Sequence, residues 1–292
     1  MQTKLQTIAK DILSTKKVDV VIGYGITEIG HVGAVFITDP EKCDRLVWND
    51  QCSTNLVGYL KRKEIKNLGK AAVIVKGCDS KALAVLEIEK QLDRENVYVI
   101  GVYCTGVVVD TTNHAKESKL ADKCLVCDVH LPLHCDEVIG SPNDTEKQMP
   151  VSEEQRYQKL AKIMSMNTEQ RLDYWKHEFD RCFKCFACRQ VCPMCYCEVC
   201  VADKNRPVRF DTSATLKGNF AWHIVRAFHL AGRCVGCGNC VSACPAGIDL
   251  DLLNLSLAKA AEDQFGYRAG LDREALPLIG TFSTEDDEDF IR

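Results

Sequence analysis

One cysteine spacing occurs twice in this chain. Cys182, Cys185, Cys188 and Cys192 precede Pro193, and Cys234, Cys237, Cys240 and Cys244 precede Pro245, so both runs read C-x2-C-x2-C-x3-C-P. Three thiols stepped by three residues in a tight loop can cap three corners of one four-iron, four-sulfur cubane. The fourth, on the following helical turn, points away toward a second cubane. The spacing therefore predicts two [4Fe–4S] clusters with crossed ligation. Cluster one takes Cys182, Cys185, Cys188 and Cys244, and cluster two takes Cys234, Cys237, Cys240 and Cys192. Structural zinc needs two C-x2-C pairs per ion and has no use for a third cysteine at the same step plus a proline-flanked fourth.

The chain holds 18 cysteines in 292 residues. The opening MQTKLQTIAKDILSTKK lacks a continuous apolar signal core, and no run is apolar for about 18 residues. The expectation is a cytoplasmic protein without a membrane span, where thiols stay reduced and dense cysteine means metal. Lys+Arg 37 against Asp+Glu 41 leaves a net charge of -4, with no cationic surplus to recruit nucleic acid.

Between residue 18 and about residue 102, the runs VDVVIGYG, AVFIT, KAAVIVKG and ENVYVIGVY alternate with helical patterns over Thr54–Lys66 and Ser80–Arg94, capped by Thr54 and Ser80. That alternation predicts an α/β domain on a parallel or mixed sheet over residues 1–140. A polar linker, Ser141 to Pro150, and two helices capped by Ser152 and Asn167, each with glutamine in the capping-box position, form a bridge over 141–180. Residues 181–270 read as a helical, bacterial-ferredoxin-like dicluster domain, with helices over Leu216–Ala231 and from Asp249 to Gly266. Residues 271–292 end in an acidic tail. Gly236 and Gly238 let backbone amides turn toward cluster sulfurs.

The N-terminal domain adds Cys78 at a strand-to-helix turn, Cys104 at a strand end, and the pair Cys124 and Cys127. Strand ends on one sheet edge are where α/β folds place ligands. Taken alone, these four are equally compatible with buried free thiols. The blocks VKGCDSKAL, VIGVYCTG and KCLVCDVH, however, resemble in order and spacing the β-subunit family of deazaflavin-coenzyme-reducing hydrogenases and methanogen-type formate dehydrogenases. The resemblance runs on through RCFKCFACRQVCPMCYCEVC and the second cysteine run to QFGYRAGLD, and so covers most of the chain. It implies a third [4Fe–4S] cluster on Cys78, Cys104, Cys124 and Cys127. The wider family also binds a flavin through a glycine-rich N-terminal stretch and longer segments around the C-x2-C block. Both are shortened here, so the expectation is a chain without its own FAD.

Cys43, Cys52, Cys135, Cys195, Cys197 and Cys200 remain. The last three form C-x-C-x2-C directly after a cluster run, and Cys52 completes a fourth metal site with them if the domains touch. Gly23, Gly25 and Gly30 miss a dinucleotide loop because Glu28 stands where a third glycine belongs. His130 and His134 read as a surface or core pair. Trp175 and Phe179, like Trp222 and Phe228, recur at helical spacing as core or interface contacts, and the helices around Trp175 and Trp222 are candidate partner faces.

The function expected from these features is an iron–sulfur subunit that relays single electrons between a catalytic dehydrogenase or hydrogenase subunit and a flavin- or Fe–S-containing subunit of heterodisulfide-reductase type, with no substrate site of its own. The alternatives are a flavin-containing subunit that oxidises or reduces a deazaflavin coenzyme, and a zinc-stabilised interaction scaffold.

Overall fold

The computed structural model describes residues 1–108, 119–141, 151–204, 206–282 and 284. Most of the expected linker, and residues 285–292 of the acidic tail, lie outside the described residues. Five strands, β1 (Val20–Ile26), β2 (Val32–Ile37), β3 (Ala71–Val75), β4 (Val97–Val102) and β5 (Glu137–Ile139), form one sheet in the order β2-β1-β3-β4-β5. β2 pairs antiparallel with β1 and every other pairing is parallel, so the sheet is mixed. Every residue of β3 and β4 is buried. That is the signature of strands covered on both faces, and it explains their continuous apolar runs.

α1 (Gln2–Ser14) buries Leu5, Ile8, Ala9, Ile12 and Leu13, an i, i+3, i+4 stripe. The pattern read over Thr54–Lys66 is a short 3-10 turn, Leu56–Lys61, capped by Asn55, followed by α2 (Lys63–Lys66). α3 (Gly77–Ile88) starts three residues earlier than read and stops short of Arg94. Its first turn is closed by Asp79, which accepts the Lys76 amide at 3.1 Å, while the expected cap Ser80 instead accepts the Leu133 amide at 2.9 Å. Gly77 is obligatory for space, since a Cβ there would lie 1.7 Å from the Val129 carbonyl oxygen. α4 (Asp122–Leu125) carries Cys124.

From residue 151 onward the chain is mainly helical. Its elements are α5 (Glu153–Arg156), α6 (Gln158–Met164), α7 (Thr168–Asp180), α8 (Ala187–Gln190), α9 (Leu216–His229), α10 (Asn239–Ser242) and α11 (Leu250–Phe265). Ser152 with Gln155 and Asn167 with Gln170 form the expected capping boxes, and Gly266 ends α11 in the left-handed region. Among the described residues no helix is long and apolar enough to cross a membrane.

The helical part closes on the sheet domain through specific contacts. The Asn55 amide donates to Asn239 Oδ1 at 3.0 Å, and Arg233 pairs with Glu89 at 2.6 Å, Arg268 with Asp128 at 2.5 Å and Arg273 with Glu87 at 2.5 Å. Met194, Leu230 and Val235 join the apolar core of the sheet domain, so one core spans the seam. The aromatic helices divide differently from the expectation. Trp222 is only 3% exposed and meets Phe186 edge-on, which removes it as a partner contact, whereas Phe228 on the same helix is exposed.

Candidate metal centres

The two cysteine runs adopt the same backbone. Lys184 and Phe186 in the first run, and Gly236 and Gly238 in the second, all occupy the left-handed region, with φ of 60°, 57°, 68° and 70°. Each loop then enters a one-turn helix, α8 or α10. In the second run glycine takes this conformation without cost. In the first, side chains take it at about 1–2 kcal/mol each. They are held there by contacts: the Lys184 ammonium donates to the Gly218 carbonyl at 2.9 Å, and Phe186 packs on Trp222. The turn brings the Lys184 amide onto the Cys182 sulfur and the Gly236 amide onto the Cys234 sulfur. Such amide donors stabilise negative charge on sulfur.

The sulfurs sort into sets that cross between the runs. Cys188 has Cys182, Cys244 and Cys185 as its charge neighbours, and Cys240 has Cys234, Cys192 and Cys237. Thus Cys244 sits with the first run and Cys192 with the second. The first set packs on Ile248 and Leu250, with Cys185 exposed and Phe183 beside it also exposed. The second set is partly exposed, and the desolvation it does undergo pushes the Cys234 thiol up to about 12.

Cys78, Cys104, Cys124 and Cys127 line one small cavity at the ends of β3 and β4. All four are partly exposed, and desolvation lifts Cys104 to about 11. His130, read from sequence as half of a bland pair, braces this set: Nδ1 meets the Cys104 carbonyl at 2.9 Å and Nε2 the Cys127 carbonyl at 3.0 Å. The Val107 amide donates to Cys124 Sγ at 3.3 Å. A larger cavity of about 760 Å³ is lined by Cys78, Cys124 and Cys127 on one side and by Cys192, Cys234, Cys237 and Cys240 on the other. Cys78 and Cys237 are direct charge neighbours across it.

The structure does not bring Cys52 to Cys195, Cys197 and Cys200 as one set. Cys52 is buried in the sheet domain, where its sulfur accepts the Asn49 amide at 3.4 Å and faces Lys76. Cys195 hydrogen-bonds to Cys192, and that contact, with Arg226 and Lys61 nearby, brings it down to about 7. Cys197 is exposed, and Cys200 lies against Arg189. Cys43 and Cys135 are core thiols, Cys135 lifted to about 12 by burial.

Several residues that shape these sets had no motif to announce them. Asn219 donates to the carbonyls of Phe179 and Cys182 at 2.9 and 2.6 Å, and Lys61 to those of Cys192 and Cys195 at 2.9 and 2.6 Å. Lys123 donates to the Cys237 carbonyl at 2.6 Å, and Arg226 to that of Cys188 at 3.2 Å. His223, one turn from Arg226, stacks on Phe179 with a centroid distance of 4.5 Å and leaves Nε2 unpartnered. Burial and Arg226 hold it down to about 3, so it is neutral in the fold. Only the unfolded chain takes up this proton below its ordinary pKa near 6.5, so stability falls as pH drops from there toward 3. Between pH 7.5 and 5.5 the loss is about 1.4 kcal/mol. Urea denaturation at both pH values should show it, and His223→Phe should remove that share.

The 4Fe-4S binding domain family matches residues 230–248, which contain Cys234, Cys237, Cys240 and Cys244. Over 92% of each chain, the protein is 24% identical to a protein of Methanocaldococcus jannaschii described as F420-dependent formate dehydrogenase subunit beta. It is 25% identical, over 84% of each chain, to F420-dependent formate dehydrogenase 1 subunit beta of Methanococcus maripaludis. The chain is an iron–sulfur relative of formate dehydrogenase β subunits. The similarity to these β subunits extends across both the sheet domain and the helical part, so both kinds of cysteine set lie inside the matched length.

Proposed function

We propose that this chain is the electron relay of a multi-subunit oxidoreductase, with three [4Fe–4S] clusters in a row: the set on Cys78, Cys104, Cys124 and Cys127, then cluster two, then cluster one. Iron–sulfur electron transfer is the general role its relatives and its 4Fe-4S match support. The observation that carries the order is the shared cavity, in which Cys78 faces Cys237 while Cys192 and Cys244 tie the two runs together. A [4Fe–4S] cluster accepts and releases one electron without a bound proton or substrate. The chain's residues hold three such groups in sequence and leave the outer one near the surface at Cys185 and Phe183. That end is the port for one partner subunit, of catalytic dehydrogenase or hydrogenase type or of heterodisulfide-reductase type.

A second reading, a flavin-bearing subunit that reacts with a deazaflavin coenzyme, is favoured by the F420 dependence in the relatives' descriptions and by the size of the 760 Å³ cavity. Anaerobic purification separates the two. The relay predicts about 12 irons and as many acid-labile sulfides per chain, no released flavin fluorescence on denaturation, and reduction by a one-electron donor but not by formate. About 8 irons in a careful preparation removes the sheet-domain cluster. Stoichiometric flavin with hydride turnover replaces the relay by the second reading.

A further inference from the structure

Three cations surround the sulfurs of Cys192, Cys234, Cys237 and Cys240, and none of them has a carboxylate. Arg226 is 5% exposed, faces the thiols of Cys192, Cys195, Cys240 and Cys188, and leaves its Nε without a partner. Lys61 and Lys123, both half-buried, reach in from the sheet domain and end on the carbonyls of Cys192, Cys195, Cys237 and Ser53. Among the ion pairs of the described residues none involves Lys61, Lys123 or Arg226, although nearby Arg233, Arg268 and Arg273 are each paired with an acid. Asp79, a carboxylate that does approach Cys237, is already bound to Lys76 at 2.7 Å.

Burying an uncompensated guanidinium costs several kcal/mol, so its retention requires an anion nearby. Carbonyl oxygens supply partial charge only, and of the thiols facing Arg226 only Cys195 is brought down toward neutrality, while burial lifts Cys188 and Cys240 until they ligate. A cubane held by four thiolates is anionic and gains a further negative charge on reduction. Fixed positive charge around it therefore favours the reduced form more than the oxidised one. At the sheet-domain set Lys76 is neutralised by Asp79, so Lys123, which also borders Cys78, is the one cage cation shared with it.

We propose that Lys61, Lys123 and Arg226 form an uncompensated cationic cage that raises the reduction potential of cluster two and makes it the electron-holding site of the chain. This rests on the relay reading above. These are positioning residues that act on the cluster through its field, with Lys61 and Lys123 contributed by the other side of the seam. The cage thus exists only when the sheet domain and the helical part are docked.

The test is an anaerobic redox titration of the full chain, read by the electron paramagnetic resonance of each cluster and accompanied by iron analysis. Lys61→Gln, Lys123→Gln and Arg226→Gln should each lower the potential of one and the same cluster, the first to be reduced. Each should shift its oxidised-to-reduced ratio at fixed potential by about tenfold, or 59 mV for one electron. Lys123→Arg and Arg226→Lys should restore it. Lys184→Gln, whose ammonium meets the Gly218 carbonyl and borders Cys182 but none of the second set, should leave that signal in place. Should Arg226→Gln lose iron, Arg226→Lys and the two lysine variants carry the test. Full iron content with unmoved potentials in the lysine variants overturns the cage. Iron near 8 in the unaltered chain overturns the relay reading instead.

Discussion

Replacing Cys192 by alanine is expected to remove the cluster of Cys234, Cys237 and Cys240 and to spare that of Cys182, Cys185 and Cys188, its neighbours in sequence. Cys192 stands among the charge neighbours of Cys234, Cys237 and Cys240, whereas Cys244 keeps the company of the first run. Cys195 is hydrogen-bonded to Cys192 and is in place to substitute for it. The double replacement Cys192→Ala with Cys195→Ala is therefore the clean experiment. It should cost about 4 of about 12 irons and abolish one magnetic signal completely. Loss of the signal assigned to the first run, which Cys188→Ala would identify independently, sinks the crossed arrangement.

The second large effect is on stability. Asp79 is fully buried, accepts the Lys76 amide at 3.1 Å, and pairs with the Lys76 ammonium at 2.7 Å. Lys76 also bonds the Tyr24 hydroxyl and, at 3.0 Å, the Thr54 carbonyl. Removing one partner of a buried ion pair leaves the other charge desolvated and alone, at a cost of about 3–5 kcal/mol. Against a typical total of about 5–15 kcal/mol, Asp79→Ala should bring the sheet domain close to its unfolding midpoint. Denaturant curves followed by circular dichroism measure this. The pair Lys76→Met with Asp79→Leu should recover much of the loss, because a matched apolar pair has no stranded charge. A single Asp79→Ala variant within about 1 kcal/mol of the parent would show that Tyr24 and the Thr54 carbonyl suffice for Lys76.

Much of the organisation was legible from the chain alone because it rests on short-range rules. Capping boxes at Ser152 and Asn167 announce α5 and α7, and continuous apolar runs announce β3 and β4. Reading was poorer where a distant contact overrides local preference. The helix after β3 begins at Gly77 because the Val129 backbone crosses there and Asp79 closes the turn, not at Ser80, whose hydroxyl serves the Leu133 amide. β5 has three residues and exists through its pairing with β4, so no periodicity reveals it. Trp222 looked free to meet a partner until Phe186 occupied its face.

What the sequence by itself determined is the pair of cysteine runs and their loop conformation. That spacing has one compact solution around a cubane, and the left-handed positions fall at matching steps whether glycine or not. Three matters were decided only by tertiary structure. Cys78 from the first turn of α3, Cys104 after β4, and Cys124 and Cys127 from α4 and the residues after it share a cavity because strand ends converge at one sheet edge. Cys52 is withdrawn from the C-x-C-x2-C segment by its burial in the sheet core. Lys61, Lys123 and Arg226, far apart in the chain and part of no motif, meet at one set of sulfurs only after docking. Ligand spacing is a local geometric constraint that a sequence can record, whereas the field around the ligands is a sum over residues that only the closed fold brings within range.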